Sequence, residues 1–117
     1  MLLDDRKIDQ ATVEAVSNRV RQAAIDTFGE KLEKVYLYDV NPGGREDPDI
    51  SFLIVAHISQ PEASKEFNNI FHRLGNMGLE YDVFYDLHIT GSEMFNTYKN
   101  HIADFYSAVN EGTLLHG

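Results

Sequence analysis

The chain has 117 residues, of which 43% are hydrophobic and 25% are charged, and this length and composition predict one globular domain over residues 1–117. Asp and Glu number 19 against 10 Lys and Arg, so the formal charge at pH 7 is −9, which argues against binding to nucleic acid or to an anionic membrane. No cysteine is present, which excludes disulfides, thiolate metal sites and cysteine nucleophiles. The first residues lack the build of a signal peptide and the longest apolar run, Phe52 to Ala56, is too short to span a bilayer, so we expect a cytoplasmic protein.

The first half of the chain predicts a helix followed by two strands. Apolar residues recur at helical spacing over residues 9–28, and Gly29 is well placed to end that helix. Residues 34–40 are dense in β-branched and aromatic side chains, which indicates a strand. A polar loop over 41–49 leads into residues 50–57, whose unbroken apolar run is typical of a central strand covered on both faces.

The second half of the chain predicts three helices and one further strand. The Ser-x-x-Glu sequence at 59–62 has the form of a capping box that opens a helix, and residues 80–88 alternate in the manner of a strand. A second capping box at 90–93 opens a short helix, residues 100–110 form a last helix, and 113–115 add a brief extended piece. The order α-β-β-α-β-α-α predicts an α+β or mixed α/β fold, with a small mixed sheet of three or four strands flanked by helices.

The polar loop and the strand after it carry the most information about chemistry. Asp49 and Ser51 point the same way because side chains alternate along a strand. Two carboxylates at such positions, with a third on the neighbouring strand, could hold metal ions that position a nucleoside triphosphate for in-line attack. The five histidines form no metal-binding pair at helical spacing, and the chain has neither a P-loop nor a Gly-x-Ser-x-Gly motif.

The order of elements and motifs resembles that of the minimal nucleotidyltransferases of the DNA polymerase β-type superfamily. In that family a helix precedes a strand ending in Gly-Ser, an Ala-Arg-Gly loop, a strand opened by Ser-Asp-x-Asp, and a third Asp on a later strand. The resemblance covers nearly the whole chain and implies a nucleotidyltransferase-like fold. Besides the first helix, the matching segments are Val35–Tyr38, Asp47–Val55, Tyr81–Phe84 and Glu111–Leu115.

The resemblance implies particular roles for the acidic residues. Asp49 matches the first metal-binding Asp, and Asp47 is a further candidate ligand. Asp82 matches the third Asp, which would bind metal and act as general base on the incoming hydroxyl, and Asp86 is a second candidate on the same face. An active enzyme of this kind would use Mg²⁺ and transfer AMP from ATP to a hydroxyl of a protein or a small molecule.

Several positions depart from the family pattern. Asp39 and Val40 stand where the family has Gly-Ser, so a negative charge replaces groups that would approach the triphosphate. Ser51 replaces the second Asp and is a weak ligand for Mg²⁺, which prefers carboxylates and water. The remaining candidates for phosphate contacts are Asn41, Gly43, Gly44 and Arg45. These departures predict a catalytically impaired domain.

Three functions are therefore open. The first is an impaired domain that binds a protein partner, and the resemblance implies an antitoxin-like role towards a small, helical HEPN-type protein. The second is an active nucleotidyltransferase in which Asp49 holds the metal ion and Asp82 acts as the base. The third is a homo-oligomeric regulatory module in which an exposed aromatic patch forms the contact between copies, although half-burial of these rings under helices is the favoured alternative. The residues of that patch are Tyr36, Tyr38, Tyr81 and Tyr85.

Overall fold

A four-stranded mixed sheet organises the fold, with helices on both of its faces. The computed structural model describes residues 9–38, 40 and 50–117. Its elements in chain order are α1 (Gln10–Phe28), β1 (Leu32–Tyr38), β2 (Ile50–Ala56), α2 (Gln60–Leu74), α3 (Met77–Tyr81), β3 (Tyr85–Gly91), α4 (Ser92–Tyr98), α5 (Ala103–Glu111) and β4 (Thr113–His116). The strand order is β3-β2-β1-β4, where β1 is antiparallel to both β2 and β4, and β2 is parallel to β3. The predicted α+β class and small mixed sheet are confirmed.

The first helix has a defined cap at each end. The carboxylate of Asp9 accepts the backbone N–H of Thr12 at 2.8 Å, and the hydrogen bonds from Thr12 lower the pKa of Asp9. Gly29 ends the helix with φ of 55°, a left-handed conformation that glycine adopts without strain. A short 3₁₀ turn then leads into β1.

The central strand β2 separates two apolar clusters, and every one of its seven residues is buried. Ile50, Phe52 and Ile54 face α1 and α2, whereas Leu53 and Val55 face α4 and α5. This arrangement confirms the prediction of a strand covered on both faces. A strand buried on both sides needs no alternation of polar and apolar residues, and the sequence of β2 shows none.

Hydrogen bonds join the start of α2 to the end of β3. The hydroxyl of Ser59 accepts the backbone N–H of Glu62 at 3.3 Å, so Ser59 caps the helix as its motif predicts. The next side chain, Gln60, accepts from the backbone N–H of Gly91 at 2.6 Å and from the hydroxyl of Thr90 at 3.1 Å. The connection between the two parallel strands is therefore anchored at the edge where both strands end.

The third strand begins later than the alternating pattern predicts. The stretch expected to open a strand at residue 80 instead ends α3, which stops at Asp82 in the left-handed conformation, with φ of 55° and ψ of 51°. The backbone N–H groups of Val83 and Asp82 donate to the carbonyls of Gly78 at 2.9 Å and Leu79 at 3.4 Å. This pattern is a Schellman motif, and it satisfies carbonyls that the helix leaves free. The prediction of a strand over 80–88 is thus wrong for its first five residues.

Two smaller predictions are also wrong. Thr90 does not cap α4: the helix begins after Gly91 without a side-chain cap, and Thr90 is fully buried in β3, where its hydroxyl is already bonded to Gln60. The last helix begins at Ala103 rather than at residue 100. The brief extended piece after it is confirmed as β4, which pairs with β1.

The four tyrosines of the predicted patch do not form one exposed surface. Tyr36 and Tyr38 are buried under α4 and α5, while Tyr81 and Tyr85 pack, half-buried, against the cluster on the opposite face of the sheet. The patch prediction is therefore wrong, and the alternative of half-burial under helices is closer to the structure. Burial raises the pKa of Tyr36 and of Tyr85 above its usual value.

Candidate functional site

Three side chains form a row across the sheet, at the edge where β2 begins. Ser51 lies opposite Tyr38 in the antiparallel pairing and opposite Asp86 in the parallel pairing. All three lie on the face towards α4 and α5, because they alternate with residues that pack against α1 and α2. Ser51 is 3% exposed and Tyr38 is 4% exposed, whereas Asp86 is exposed. We call these residues the strand row.

A histidine extends the polar surface beyond the strand row. His88 lies two residues after Asp86 and so on the same face of β3. Its ring centroid is 5.1 Å from that of Phe105, and its Nδ1 atom is 3.7 Å from a carboxylate oxygen of Asp104 on α5. Asp86 and Asp104 therefore give this face an acidic character that a cation would complement.

The strand row holds one carboxylate, that of Asp86, and two hydroxyls, those of Ser51 and Tyr38. Ser51, which the resemblance would match to the second Asp, has Asp86 as its register neighbour on β3. The structure places Asp82 outside the strand, at the end of α3, exposed and away from this pairing. Among the residues that the structure describes, no group of three His, Cys, Asp or Glu side chains is arranged to hold a metal ion.

The remaining sequence-predicted site residues lie in the segment between β1 and β2. This segment joins Tyr38 to Ile50, and both of these residues lie at the edge of the sheet that carries the strand row. Six predicted site residues lie outside the described residues: Asn41, Gly43, Gly44, Arg45, Asp47 and Asp49.

An apolar groove opens between the end of α2, α3 and the start of β3, with a volume of about 310 Å³. Its walls include Leu79, which is 85% exposed, Phe84, which is 69% exposed, and Phe71, which is 49% exposed. The lining residues are Phe71, Gly78, Leu79, Asp82, Val83, Phe84 and Tyr85. We call it the α3 groove.

Sequence reasoning missed the α3 groove because residues 77–81 do not resemble a helix when taken alone. Gly75 and Gly78 indicate a turn, and the hydrophobic residues after them alternate well enough to suggest a strand. One signal could have pointed to it: Phe67 and Phe71 place two aromatic rings one turn apart on α2, in addition to its buried stripe of Ala63, Ile70 and Leu74.

A second cleft, of about 530 Å³, lies at the carboxyl ends of the parallel strands β2 and β3. It is bounded by the start of α2 and by α4, with Ser59, Glu93, Thr97 and Tyr98 among its lining residues. Ligands of open α/β sheets bind at this type of edge. In this cleft, however, the Ser59 hydroxyl caps α2, which leaves it less free to bind a ligand.

Comparison with known proteins identifies no relative of this chain. No family model matches it, and no curated protein or solved structure is significantly similar to it. Within the described part of the chain, no helix has both the length and the apolar character needed to cross a membrane.

Proposed function

We propose that this chain is a nucleotidyltransferase-like domain with impaired catalysis, and that it acts by binding a protein partner. The observation that carries the proposal is the position of Ser51 in the strand row, between Tyr38 and Asp86. A buried, neutral hydroxyl stands where two-metal chemistry needs a second carboxylate.

The strand row does not fit a pair of magnesium ions. Mg²⁺ binds carboxylates and water in near-octahedral geometry, and a serine hydroxyl supplies neither the charge nor the bridging oxygen of an Asp. Asp86 is the only carboxylate of the row, and its position beside Ser51 makes it a better match than Asp82 for the third Asp of the resemblance. The strand row therefore supports no catalytic step through a metal ion.

Protein binding is supported by the surface. The α3 groove exposes three large hydrophobic side chains around one depression, and such patches on a small soluble domain typically mark interaction sites. The resemblance implies a HEPN-type helical protein as the partner, and the aromatic content of the sequence offers a second copy of the chain as the alternative. The charge of −9 favours a protein partner with a basic surface over a polyanion.

The test of impaired catalysis is a calorimetric titration of ATP into the protein, first with Mg²⁺ and then with Mn²⁺. We expect no metal-dependent binding in the wild type. Micromolar binding that requires the metal and is lost in Asp86→Asn or Asp49→Ala would show a working nucleotide pocket, and transfer of label from ATP by that pocket would overturn the proposal. Asp104→Asn is a matched control, because it removes an exposed carboxylate of the same face outside the strand row.

An active nucleotidyltransferase is the second candidate function. It is favoured by the exposure of Asp86 on the same face as Ser51, since a carboxylate there is open to a ligand. In that case the protein would transfer AMP from labelled ATP to a hydroxyl of its substrate. Incubation with labelled ATP, a partner protein and Mg²⁺ or Mn²⁺ would then label the partner, and no label would transfer in Asp86→Asn.

A further inference from the structure

We propose that the α3 groove docks a basic, amphipathic segment of a partner protein, with apolar side chains in the groove and Lys or Arg residues around them. This inference rests on the partner-binding part of the proposed function and specifies the chemistry of the partner. It is independent of the strand row, which lies on the other face of the sheet.

Exposed apolar side chains from three elements, α2, α3 and the turn before β3, line the groove. Leu79 projects from a helix of only five residues and is 85% exposed, and Phe84 follows it across the groove at 69% exposed. On the third side, the ring of Phe71 lies 5.7 Å from that of Phe67 and 5.8 Å from that of Tyr85. Aromatic rings that are held by neighbouring rings while one face stays open are typical anchor sites of protein interfaces.

Backbone hydrogen bonds and close packing stabilise the wall of the groove that α3 forms. The Schellman motif fixes the end of α3, and the backbone N–H of Val83 bonds to Gly78 at 2.9 Å. A Cβ atom added to Gly78 would lie 3.0 Å from the carbonyl oxygen of Val83 and 3.5 Å from the ring of Tyr85, so the floor is tightly packed. A preformed surface needs little ordering on binding, which favours affinity.

The charge around the groove selects the partner. Asp82 is the one charged residue among the described residues that line the groove, and no Lys or Arg lines it. Glu80 lies beside it on α3 with its side chain 51% exposed. Glu80 is paired with Arg19, whose guanidinium lies 3.4 Å from the Glu80 carboxylate and 3.3 Å from the carbonyl of Leu74. Glu80 therefore adds little net charge, and the acidic character of the groove lining comes from Asp82.

The same charge argues against a second copy as the occupant. Two chains that each carry a formal charge of −9 repel each other, and both would bring Asp82 to the contact. A segment with Lys or Arg flanking its apolar residues is attracted to the acidic protein, whereas a second copy of the chain is repelled by it. A helix whose apolar residues are three or four positions apart matches a groove of this kind, since its side chains enter from one face.

The experiment uses fluorescence anisotropy with three designed helical peptides. The first has Leu at helical spacing on one face and Lys on the other, the second replaces each Lys by Glu, and the third replaces each Leu by Ser. The protein variants are Leu79→Ser and Phe84→Ser in the groove. The matched control is Leu114→Ser, an exposed Leu of similar character on β4 at the opposite edge of the sheet. Thermal melting confirms that each variant is folded.

We expect the Leu/Lys peptide to bind the wild type, and each groove variant to weaken that binding at least about tenfold, as loss of an interface anchor does. Leu114→Ser should bind as the wild type does. If the Leu/Lys peptide bound Leu79→Ser as tightly as the wild type, the α3 groove would not be its binding site. If the Glu peptide bound as tightly as the Leu/Lys peptide, the preference for a basic partner would be refuted. Sedimentation showing a wild-type dimer that Leu79→Ser dissociates would identify a second copy instead. These outcomes are separate from the ATP titration and the label-transfer assay, which test the nucleotide site and its catalysis.

Discussion

Replacing Ser51 by Asp places a carboxylate where the proposed nucleotidyltransferase pattern has its second Asp, and tests the geometry of the strand row. Ser51 is 3% exposed and lies opposite Asp86 on the neighbouring strand. Neighbouring strands are about 5 Å apart, and at an effective dielectric constant of about 20 two charges at that distance repel by about 3 kcal/mol. Screening at the exposed Asp86 reduces the repulsion to about half, and desolvation of the new carboxylate adds about 1–2 kcal/mol.

The S51D variant should therefore lose about 3 kcal/mol of unfolding free energy at pH 7 without divalent ions. Burial and the nearby carboxylate raise the pKa of the new group in the folded state, so the folded chain holds its proton more tightly than the unfolded chain. The loss of unfolding free energy is absent below about pH 4, where the new carboxyl is protonated in both states, and it grows as the pH rises. Urea unfolding at several pH values measures it.

Two controls separate the contributions. S51N introduces a side chain of nearly the same shape as Asp but without its charge. The double variant S51D/D86N removes the repulsion between the carboxylates at residues 51 and 86. If S51D were as stable as S51N at pH 7, the burial of Ser51 and its register against Asp86 would be refuted. If Mg²⁺ restored the stability of S51D but not of S51N, the resemblance to nucleotidyltransferases would gain direct support, because the restored carboxylate would then complete a metal site.

Three further predictions concern the scaffold. Gly91→Ala should lower the unfolding free energy by about 3 kcal/mol, because a Cβ atom there would overlap the carbonyl oxygen of Ile58. An unchanged midpoint of chemical denaturation would contradict this close contact. Gly75→Ala should lower the unfolding free energy by about 1–2 kcal/mol, because φ of 58° strains any side chain although the space around it is open, and an unchanged melting temperature would contradict this. The unfolding free energy should fall as the pH rises above 10.0, because burial raises the pKa of Tyr36 and the unfolded chain therefore loses the Tyr36 proton first. In Tyr36→Phe, urea unfolding at several alkaline pH values should show a smaller fall.

Much of the scaffold follows from local sequence. The stripe of α1, the Ser59 cap and the apolar run of β2 each predict their element because the deciding interactions lie within one turn or one strand. The error at α3 has a physical cause: a five-residue helix that ends in a left-handed Asp is held by the packing of Met77 and Val83 into the core, which no local pattern reveals.

The candidate site shows a second limit of local reasoning. Spacing places Asp82 and Asp86 on one face of one strand, and therefore makes both candidates for the same role. The choice between them depends on the register of β3 against β2, which the crossover through α2 and α3 sets. Thr90 is a similar case, because its capping motif competes with a buried hydrogen bond to Gln60 on another element.

The pairing of β4 with β1 has a consequence for the order of folding. The contacts of β1 with β2 close a short span of chain, whereas Thr113 lies opposite Leu37, so β4 joins the sheet across most of the described sequence. Contacts of such long range form late, because the entropy of closing the chain opposes them until the rest of the sheet is in place. Until then the outer edge of β1 carries unpaired backbone groups beside apolar side chains. A partly folded chain is therefore most prone to aggregate through β1, and mutations that weaken β4 should affect solubility more than they affect the strand row.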